Sequence, residues 1–246
     1  MSISLSADDG IAILRLDNAA KMNALSSEVM REVSEKIRDV ESKAKVLVIT
    51  GAPGAFSAGV DVSEIESFSA ESACLKNFID RRWESVFNVK IPTVAAVSGY
   101  ALGAGFELAL MCDLITATES AKFGFPEVNL GLMPGMGGTQ LLTRIAGPKL
   151  AAELIMTGDF LTAERAAELK IVSLVTADDR LMPQTLKLAR KIAEKPPLSL
   201  RMIKEALRLS QNVGLNQGIQ SERVMFRSLF SSEEKKARVR KFLKKN

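Results

Sequence analysis

The chain has 246 residues, of which 47% are hydrophobic and 25% charged, a composition that is ordinary for a globular protein. No apolar run approaches the roughly 20 residues that a membrane-spanning helix needs. The N-terminal segment lacks the basic and apolar regions of a signal peptide, so a cytoplasmic location is expected. Histidine is absent, which excludes Ser-His-Asp and Cys-His nucleophilic catalysis and every His-based metal site. Cys74 and Cys112 are the only cysteines, too few for a disulfide framework or a four-cysteine zinc site.

The net charge of +4 comes from 33 basic and 29 acidic residues, and the basic excess is concentrated at the end of the chain. The segment 233–246 holds seven Lys or Arg residues against two Glu residues. A solvated helix face is the favoured interpretation, because most charge runs are solvated faces. The same run is also compatible with binding RNA or another polyanion, or an anionic small ligand.

Strands are expected at 3–6 and 11–16, followed by a helix that Ser26 or Ser27 caps. The apolar positions of this helix recur every three or four residues, which predicts one buried stripe: Val29, Val33, Ile37, Val40 and Ala44. The run 46–50 is continuous, short and β-branched, as in a strand buried on both faces. The pair Asp61 and Glu64 has the spacing of a reciprocal helix cap. A long helix is expected over 70–89.

Pro92 ends that helix, and 93–97 is predicted as another buried strand. The turn at 99–105 leads into a helix that carries Glu107. The remaining expected elements are a strand at 114–117, helices at 139–145, 148–157 and 163–169, a strand at 171–175, and helices from 181 onward with a break at 195–197.

Alternating strands and helices predict an α/β fold for the first two thirds of the chain. We expect a core with the active site at 1–190 and a helical oligomerisation region at 191–246. Four apolar side chains of this last region, namely Leu215, Ile219, Phe226 and Phe230, form a stripe that must dock on the core or on another subunit.

Glu107 and Glu127 lie in the most glycine-rich part of the sequence. Eight of the sixteen glycines fall within the 40 residues from Gly99 to Gly138. Small and apolar neighbours surround both glutamates, and burial of a carboxyl group raises its pKa toward the range that suits proton transfer. Two such groups 20 residues apart suggest an acid/base pair that acts on one substrate.

Two glycine-containing loops, at 56–61 and 103–105, each lead into a helix. Backbone N–H groups in a first helical turn lack intrahelical partners, so the two loops together form a candidate oxyanion hole. Either loop alone is better explained as a tight turn between a strand and a helix. A nucleotide site is not supported, because no G-x-x-x-x-G-K-[ST] motif occurs and no intact G-x-G-x-x-G motif follows a strand.

The order of these features resembles one protein family along nearly the whole chain. The matching segments are Asn23-Ala24-Leu25, Val48–Gly51, Ala55–Asp61, Pro92–Leu108, Phe123–Glu127, Gly131–Thr139 and Leu154–Gly158 with Ala163, Ala166 and Ala167. On these motifs the sequence is similar to the enoyl-CoA hydratase/isomerase (crotonase) family.

The resemblance implies a crotonase (ClpP-like) spiral of ββα repeats with a C-terminal helical trimerisation region, in trimers that often pair into hexamers. It implies an acyl-CoA thioester substrate, Glu107 and Glu127 as catalytic residues, and the N–H groups of Val60 and Ala104 as the oxyanion hole. The residues that it places against CoA or the acyl group are Met22, Ala24, Ala58, Gly59, Asp61, Ile65, Gly103, Leu132, Phe226 and Lys245. Lys21 belongs to the same CoA-binding segment as Met22. No metal and no cofactor beyond the CoA of the substrate are implied.

The presence of both glutamates favours an enoyl-CoA hydratase, a hydro-lyase of fatty acid β-oxidation. The alternatives are a Δ3-Δ2 enoyl-CoA isomerase or another CoA-thioester reaction, and an RNA- or polyanion-binding protein that uses the basic C-terminal helix. Nucleic acid and membrane partners are not expected. Side chains expected to shape the acyl pocket are Ile65, Phe68, Phe87 and Leu132. Four other residues are expected to have structural roles: Asp61 as a helix cap, Tyr100 in packing, Cys112 in the core and Asp113 in a hydrogen bond.

Overall fold

The computed structural model describes residues 3–52, 54–80 and 82–244. Within these residues the chain forms ten strands in two sheets. The strands are β1 (Ile3–Asp8), β2 (Ile11–Leu16), β3 (Val46–Gly51), β4 (Ala55–Ser57), β5 (Thr93–Val97), β6 (Tyr100–Leu102), β7 (Leu114–Thr118), β8 (Lys122–Gly124), β9 (Phe160–Thr162) and β10 (Leu174–Thr176). The helices are α1 (Ser27–Glu41), α2 (Val62–Ile65), α3 (Ala70–Leu75), α4 (Ala104–Leu110), α5 (Gly138–Ala146), α6 (Pro148–Thr157), α7 (Ala163–Glu168), α8 (Leu181–Ala193), α9 (Pro197–Leu209), α10 (Leu215–Ser228) and α11 (Glu233–Leu243).

The two sheets are built from paired strands of a repeating ββα unit. The larger sheet has the order β1-β2-β3-β5-β7-β10, and the smaller one has the order β4-β6-β8-β9. Each of β3, β5 and β7 lies in the larger sheet, and the strand that follows it lies in the smaller sheet and leads on to helical structure. Parallel pairing between successive units winds the chain into a spiral. The predicted α/β spiral of ββα repeats is confirmed.

The larger sheet is the centre of the core. All five residues of β5 and the first five of β3 are buried, because helices cover this part of the sheet on both faces. The apolar stripe of α1 packs on one face, and Leu181, Ala189 and Ala193 of α8 pack on the other. Ser26 caps α1 by accepting a hydrogen bond from the N–H group of Val29, as the sequence predicted.

The helix predicted over 70–89 is wrong beyond its first turns. α3 ends at Leu75, and Asn77 and Ile79 have φ angles of +48° and +58°. The N–H group of Phe78 bonds to the carbonyl of Ala73, a pattern that closes a helix C-terminus when asparagine adopts the left-handed conformation. Trp83, Val86 and Val89 are instead buried from a series of turns.

The reciprocal cap predicted for Asp61 and Glu64 is only half correct. Asp61 caps α2 by accepting from the N–H group of Ser63, but Glu64 accepts from the N–H group of Ser27, at 2.9 Å. The N–H group of Asp61 is already bonded to the carbonyl of Leu25, so Glu64 is free to cap the neighbouring helix.

The C-terminal helices match the predicted break at 195–197. The strand predicted at 171–175 begins later, at Leu174, because Ile171 and Val172 pack in the core and both bond to the carbonyl of Ala166. The expected boundary at residue 190 falls within α8, which continues as one helix to Ala193; the division into a core and an oligomerisation region stays a prediction. None of the helices in the described part of the chain has the length and apolar character that crossing a bilayer requires.

Candidate active site

Glu107 lies on α4, a helix whose seven residues are all buried. Its side chain is held in place, because Oε1 accepts hydrogen bonds from the N–H groups of Met136 (2.8 Å) and Gly138 (2.7 Å). Burial raises the pKa of Glu107, since the carboxylate loses its hydration, and backbone donors at 135, 136 and 138 oppose that rise. The carboxyl group therefore keeps donors that stabilise its ionised form.

Glu127 lies in a 3₁₀ turn, Pro126–Leu130, that follows β8. Burial raises the pKa of Glu127 to about 7, and the charge of Glu107 adds to the rise. Its Oε2 atom is buried and has no hydrogen-bond partner among the described residues. Since a buried carboxylate oxygen without a donor disfavours ionisation, Glu127 is the better proton donor of the pair.

Gly59, the residue before Val60, lies against Ala104 at the start of α4. A Cβ atom built on Gly59, whose φ is +99°, would lie 2.9 Å from the carbonyl oxygen of Leu102 and 3.4 Å from the nitrogen of Ala104. Glycine thus allows the loop before α2 to touch the first turn of α4. Within the described residues neither N–H group donates a hydrogen bond, so both are available to one ligand oxygen.

A cleft of 600 Å³ brings these groups together. Of the residues singled out in the sequence, ten line it: Ala58, Gly59, Val60, Ile65, Phe68, Gly103, Ala104, Glu107, Glu127 and Leu132. A larger cleft of 750 Å³ lies elsewhere, beside Arg38 and Arg201, and contains neither glutamate. The convergence of two carboxyl groups with two free N–H donors marks the 600 Å³ cleft as the candidate active site.

Three predicted CoA contacts, Met22, Ala24 and Asp61, do not line the cleft. They lie beside it, because the carbonyl of Met22 accepts from the N–H group of Ala58, which does line it. Asp61 forms an ion pair with Lys21 at 2.7 Å, and this contact and the hydroxyl of Ser63 hold its pKa below the usual value. Asp61 is therefore an ionised helix cap, as predicted.

The remaining predicted contacts fall outside the cleft. Phe226 lies on α10, is 60% exposed and packs against Phe230, so it does not reach the cleft of its own chain. The prediction that Phe87 shapes the acyl pocket is wrong. Phe87 lines a different pocket and packs under the guanidinium group of Arg208. Lys245 lies outside the described residues.

The structural roles that we expected hold for Asp113, Cys112 and Tyr100. Asp113 accepts from the N–H group and hydroxyl of Thr93, at 2.7 and 3.0 Å. Burial raises the pKa of the Cys112 thiol to about 12, which leaves it unreactive. Tyr100 packs edge-on against Phe160.

Sequence reasoning missed two sets of site residues. The donors to Glu107 come from the loop at 135–138, whose Pro-Gly-Met-Gly-Gly composition indicated close backbone approach but not its target. Phe78 and Ile79 also line the cleft, and the incorrect long helix had hidden them.

Comparisons with known proteins agree with this geometry. The family model for enoyl-CoA hydratase/isomerase matches residues 6–246. A probable enoyl-CoA hydratase from Rhizobium meliloti is 40% identical over 96% of this chain and 92% of its own length. A 2,3-dehydroadipyl-CoA hydratase from Escherichia coli is 38% identical with the same coverage. The crystal structure of an enoyl-CoA hydratase from Bacillus anthracis superimposes with a TM-score of 0.94 at 31% identity, covering 100% of this chain and 97% of that one.

The chain belongs to the enoyl-CoA hydratase/isomerase family. The family that its motifs resembled is thereby confirmed, and so is the crotonase fold. The names of its relatives also bear out the expectation of an enoyl-CoA hydratase, which is a hydro-lyase.

Proposed function

We propose that this enoyl-CoA hydratase adds water across the 2,3 double bond of its substrate with Glu107 and Glu127 as the acid/base pair. The observation that carries this assignment is their asymmetry within one cleft. Glu107 accepts two N–H hydrogen bonds, at 2.8 and 2.7 Å, whereas Oε2 of Glu127 receives none from the described residues. One proton shared by the pair is therefore held by Glu127, and Glu107 carries the negative charge.

The thioester oxygen binds between the N–H groups of Val60 and Ala104 in this proposal. Two donors polarise the carbonyl group and stabilise the charge that develops on its oxygen as an enolate forms. Removing one such donor in other enzymes costs about 3–4 kcal/mol of transition-state stabilisation. Because both donors here are backbone groups, other side chains at positions 60 and 104 would leave the two N–H donors of the oxyanion hole in place.

The proton transfers follow from the two ionisation states. Ionised Glu107 takes a proton from water as the water oxygen bonds to Cβ. The π electrons of the double bond move toward the thioester, and the resulting enolate takes a proton at Cα from Glu127. Water is thus added as OH at Cβ and H at Cα, and the proton on Glu107 returns to Glu127 before the next turnover. Each carboxyl group contributes on the order of 10²–10⁴-fold.

The binding roles extend this proposal to the whole substrate. In this proposal CoA contacts Ala58 and Gly59, which line the cleft, and Met22, Ala24 and Asp61, which lie beside it. Ile65, Gly103 and Leu132 line the acyl end. We assign no separate cofactor, because CoA is part of the substrate.

Oligomer formation completes the proposal. Ile219, Phe226 and Phe230 of the C-terminal helices are exposed in the single chain, and burial of such a surface against other copies is favourable. We assign a trimer or a hexamer, with Phe226 and Lys245 reaching the CoA of a neighbouring subunit. A cytoplasmic location stays a prediction.

The test is hydration of crotonyl-CoA by the purified protein, followed by product analysis. We expect 3-hydroxybutyryl-CoA, with kcat at least 100-fold lower in Glu107→Gln and in Glu127→Gln. Glu119→Gln, which removes an exposed carboxyl group outside the cleft, is the matched control and should be unaffected. Unchanged hydration in Glu127→Gln would contradict the assignment. A shifted double bond in 3-enoyl-CoA substrates without hydration would favour isomerisation.

A further inference from the structure

The cleft has an apolar end, and its charged lining is entirely acidic. Away from the glutamate pair it is lined mostly by hydrophobic side chains, among them Ile65, Phe68, Phe78, Ile79, Leu132 and Met133. The charged groups that line it within the described residues are Glu66, Glu107 and Glu127, and no lysine or arginine is among them. An acyl group that enters this end meets hydrocarbon and negative charge.

Three side chains separate this apolar end from a second pocket. Phe68, Phe78 and Ile79 line the 600 Å³ cleft on one side and a pocket of 230 Å³ on the other. The rings of Phe68 and Phe78 pack edge to face, with centroids 5.2 Å apart and planes at 81°. We call these three residues the aromatic wall.

The second pocket holds the cations that the cleft lacks. Lys76 and Arg82 line it, and neither lines the cleft. Arg82 is paired with Asp80, whereas the Lys76 ammonium lies 4.6 Å from the centroid of the Phe68 ring. The ring of Phe68 therefore stands between the ammonium group of Lys76 and the acyl end of the cleft.

The wall is held by its backbone and by the core. The ring of Phe78 packs against buried Trp83 at 6.1 Å between centroids. Ile79 has a φ of +58°, a strained conformation for a β-branched residue, and such strain persists only where the surroundings fix it. Its Cδ1 atom lies 3.1 Å from the place where a Cβ of Gly135 would be, which puts it over the loop that holds Glu107.

We propose that the aromatic wall makes this enzyme selective for acyl chains with an uncharged, apolar end and against chains that end in a carboxylate. This inference rests on the proposed function, since it concerns the acyl group of the same substrate. A terminal carboxylate at this end of the cleft would lose its hydration, would meet Glu66 as the charged lining residue outside the glutamate pair, and would find no cation among the described lining residues.

The test uses two enoyl-CoA thioesters of equal length. 2-Hexenoyl-CoA and 2,3-dehydroadipyl-CoA both carry six-carbon acyl groups and differ in the terminal carboxylate. We expect kcat/KM to be about 100-fold or more higher for 2-hexenoyl-CoA, because the carboxylate would be buried without a partner. A ratio within about threefold would overturn the inference.

A binding measurement separates failure of this inference from failure of the proposed function. Hexanoyl-CoA and adipoyl-CoA have no double bond and cannot be hydrated. The difference between their Kd values therefore reports how the cleft discriminates against a terminal carboxylate, without a contribution from catalysis. The same preference for the apolar chain is expected by calorimetry whether or not any enoyl-CoA is hydrated. Equal Kd values would overturn the inference even if crotonyl-CoA is hydrated.

A variant pair tests the identity of the wall. Phe68→Ala removes the ring between Lys76 and the cleft and should improve kcat/KM for 2,3-dehydroadipyl-CoA about tenfold or more relative to 2-hexenoyl-CoA. Phe68→Ala/Lys76→Ala keeps the opened pocket without the cation and should lose that gain. Leu75→Ala changes an exposed residue at the end of α3, next to Lys76, and serves as the folding control. An unchanged ratio in folded Phe68→Ala would overturn the role of Phe68.

Discussion

Gly103 and Glu127 are packed so closely that no other residue fits at position 103 without moving the carboxyl group. A Cβ atom built on Gly103 would lie 2.9 Å from Oε1 and 3.4 Å from Cδ of Glu127. Gly103 also has a φ of +51° and immediately precedes Ala104, whose N–H group belongs to the candidate oxyanion hole. One glycine therefore sets the position of both the acid group and a donor.

Gly103→Ala should lower kcat for crotonyl-CoA hydration about 100-fold while the protein stays folded, because a small displacement of a catalytic group is costly. The matched control is Gly147→Ala, which has a similar backbone requirement, with φ of +85°, but nothing within 4 Å of its Cβ position. Both variants should lose about 1–3 kcal/mol of stability from backbone strain. Equal activity losses in the two variants would contradict a specific contact with Glu127.

The pH dependence of kcat/KM should be bell-shaped. The acid limb reports ionisation of the pair to its singly charged state, in which Glu107 acts as base. The alkaline limb should lie near pH 7, because burial raises the pKa of Glu127 to about 7 and its proton is needed at Cα. The profile is measured with crotonyl-CoA at concentrations below KM. Activity that stays constant from pH 6 to pH 9 would show that Glu127 is not the proton donor.

Glu127→Gln should stabilise the protein at alkaline pH. The folded state holds the Glu127 proton more tightly than the unfolded state, so wild-type stability falls as pH rises from about 4.5 to about 7. The variant lacks this loss. The difference in free energy of unfolding between Glu127→Gln and wild type should therefore be about 1–3 kcal/mol more in favour of the variant at pH 8 than at pH 4.5. Urea unfolding at the two pH values measures this, with Glu119→Gln as control. A difference in free energy of unfolding that does not change with pH would mean that the pKa of Glu127 is not raised in the folded state.

Lys204→Met should destabilise the fold and detach α9. Lys204 is 6% exposed, and its Nζ atom lies 2.7 Å from Asp113 Oδ2 and 2.8 Å from the carbonyl oxygen of Ile91. Burial lowers its pKa, and the contact with Asp113 opposes that change. Asp113 is 31% exposed and keeps its hydrogen bonds to Thr93, so the main loss is the donor to the buried carbonyl of Ile91, which costs about 1–3 kcal/mol. The double variant Lys204→Met with Asp113→Asn should cost less than the sum of the two single variants. The exposed Arg201→Met on the same helix is the control.

The exposed apolar side chains of α10 and of the turn that follows it, Leu229–Ser231, should bind other copies of the chain. Phe230→Glu and Ile219→Glu place charges on that surface and should shift the mass measured by sedimentation toward the monomer. Leu75→Glu, which changes an apolar residue that is more exposed and lies far along the chain, should leave the mass unchanged. A wild-type protein that sediments as a monomer would contradict the proposed trimer or hexamer.

Much of the fold could be predicted from local patterns. The buried strands β3 and β5 are continuous β-branched runs, and α1 has a regular apolar stripe behind a serine cap. Such elements satisfy their hydrogen bonds locally or within one sheet, so neighbouring residues are enough to predict them. The glycine-rich surroundings of Glu107 and Glu127 likewise predicted buried carboxyl groups.

Other features depended on partners far away in sequence. The sequence predicted one helix over 70–89, but Asn77 and Ile79 turn the chain so that Phe78 reaches the cleft and Trp83 the core. Glu64 had the spacing to cap its own helix, yet it caps α1, 37 residues earlier. A short-range pattern cannot distinguish these outcomes, because each has satisfactory local hydrogen bonds.

The sequence by itself determined the family, the order of most strands and helices, and which residue types are available for proton transfer, since the absence of histidine leaves Asp, Glu, Lys, Tyr and Cys. Only the tertiary structure decided how those glutamates differ. The loop at 135–138 supplies donors to Glu107, while burial near Gly103 leaves Oε2 of Glu127 without a partner among the described residues. A pKa depends on charges, donors and solvent within a few ångströms, and folding alone brings those groups together.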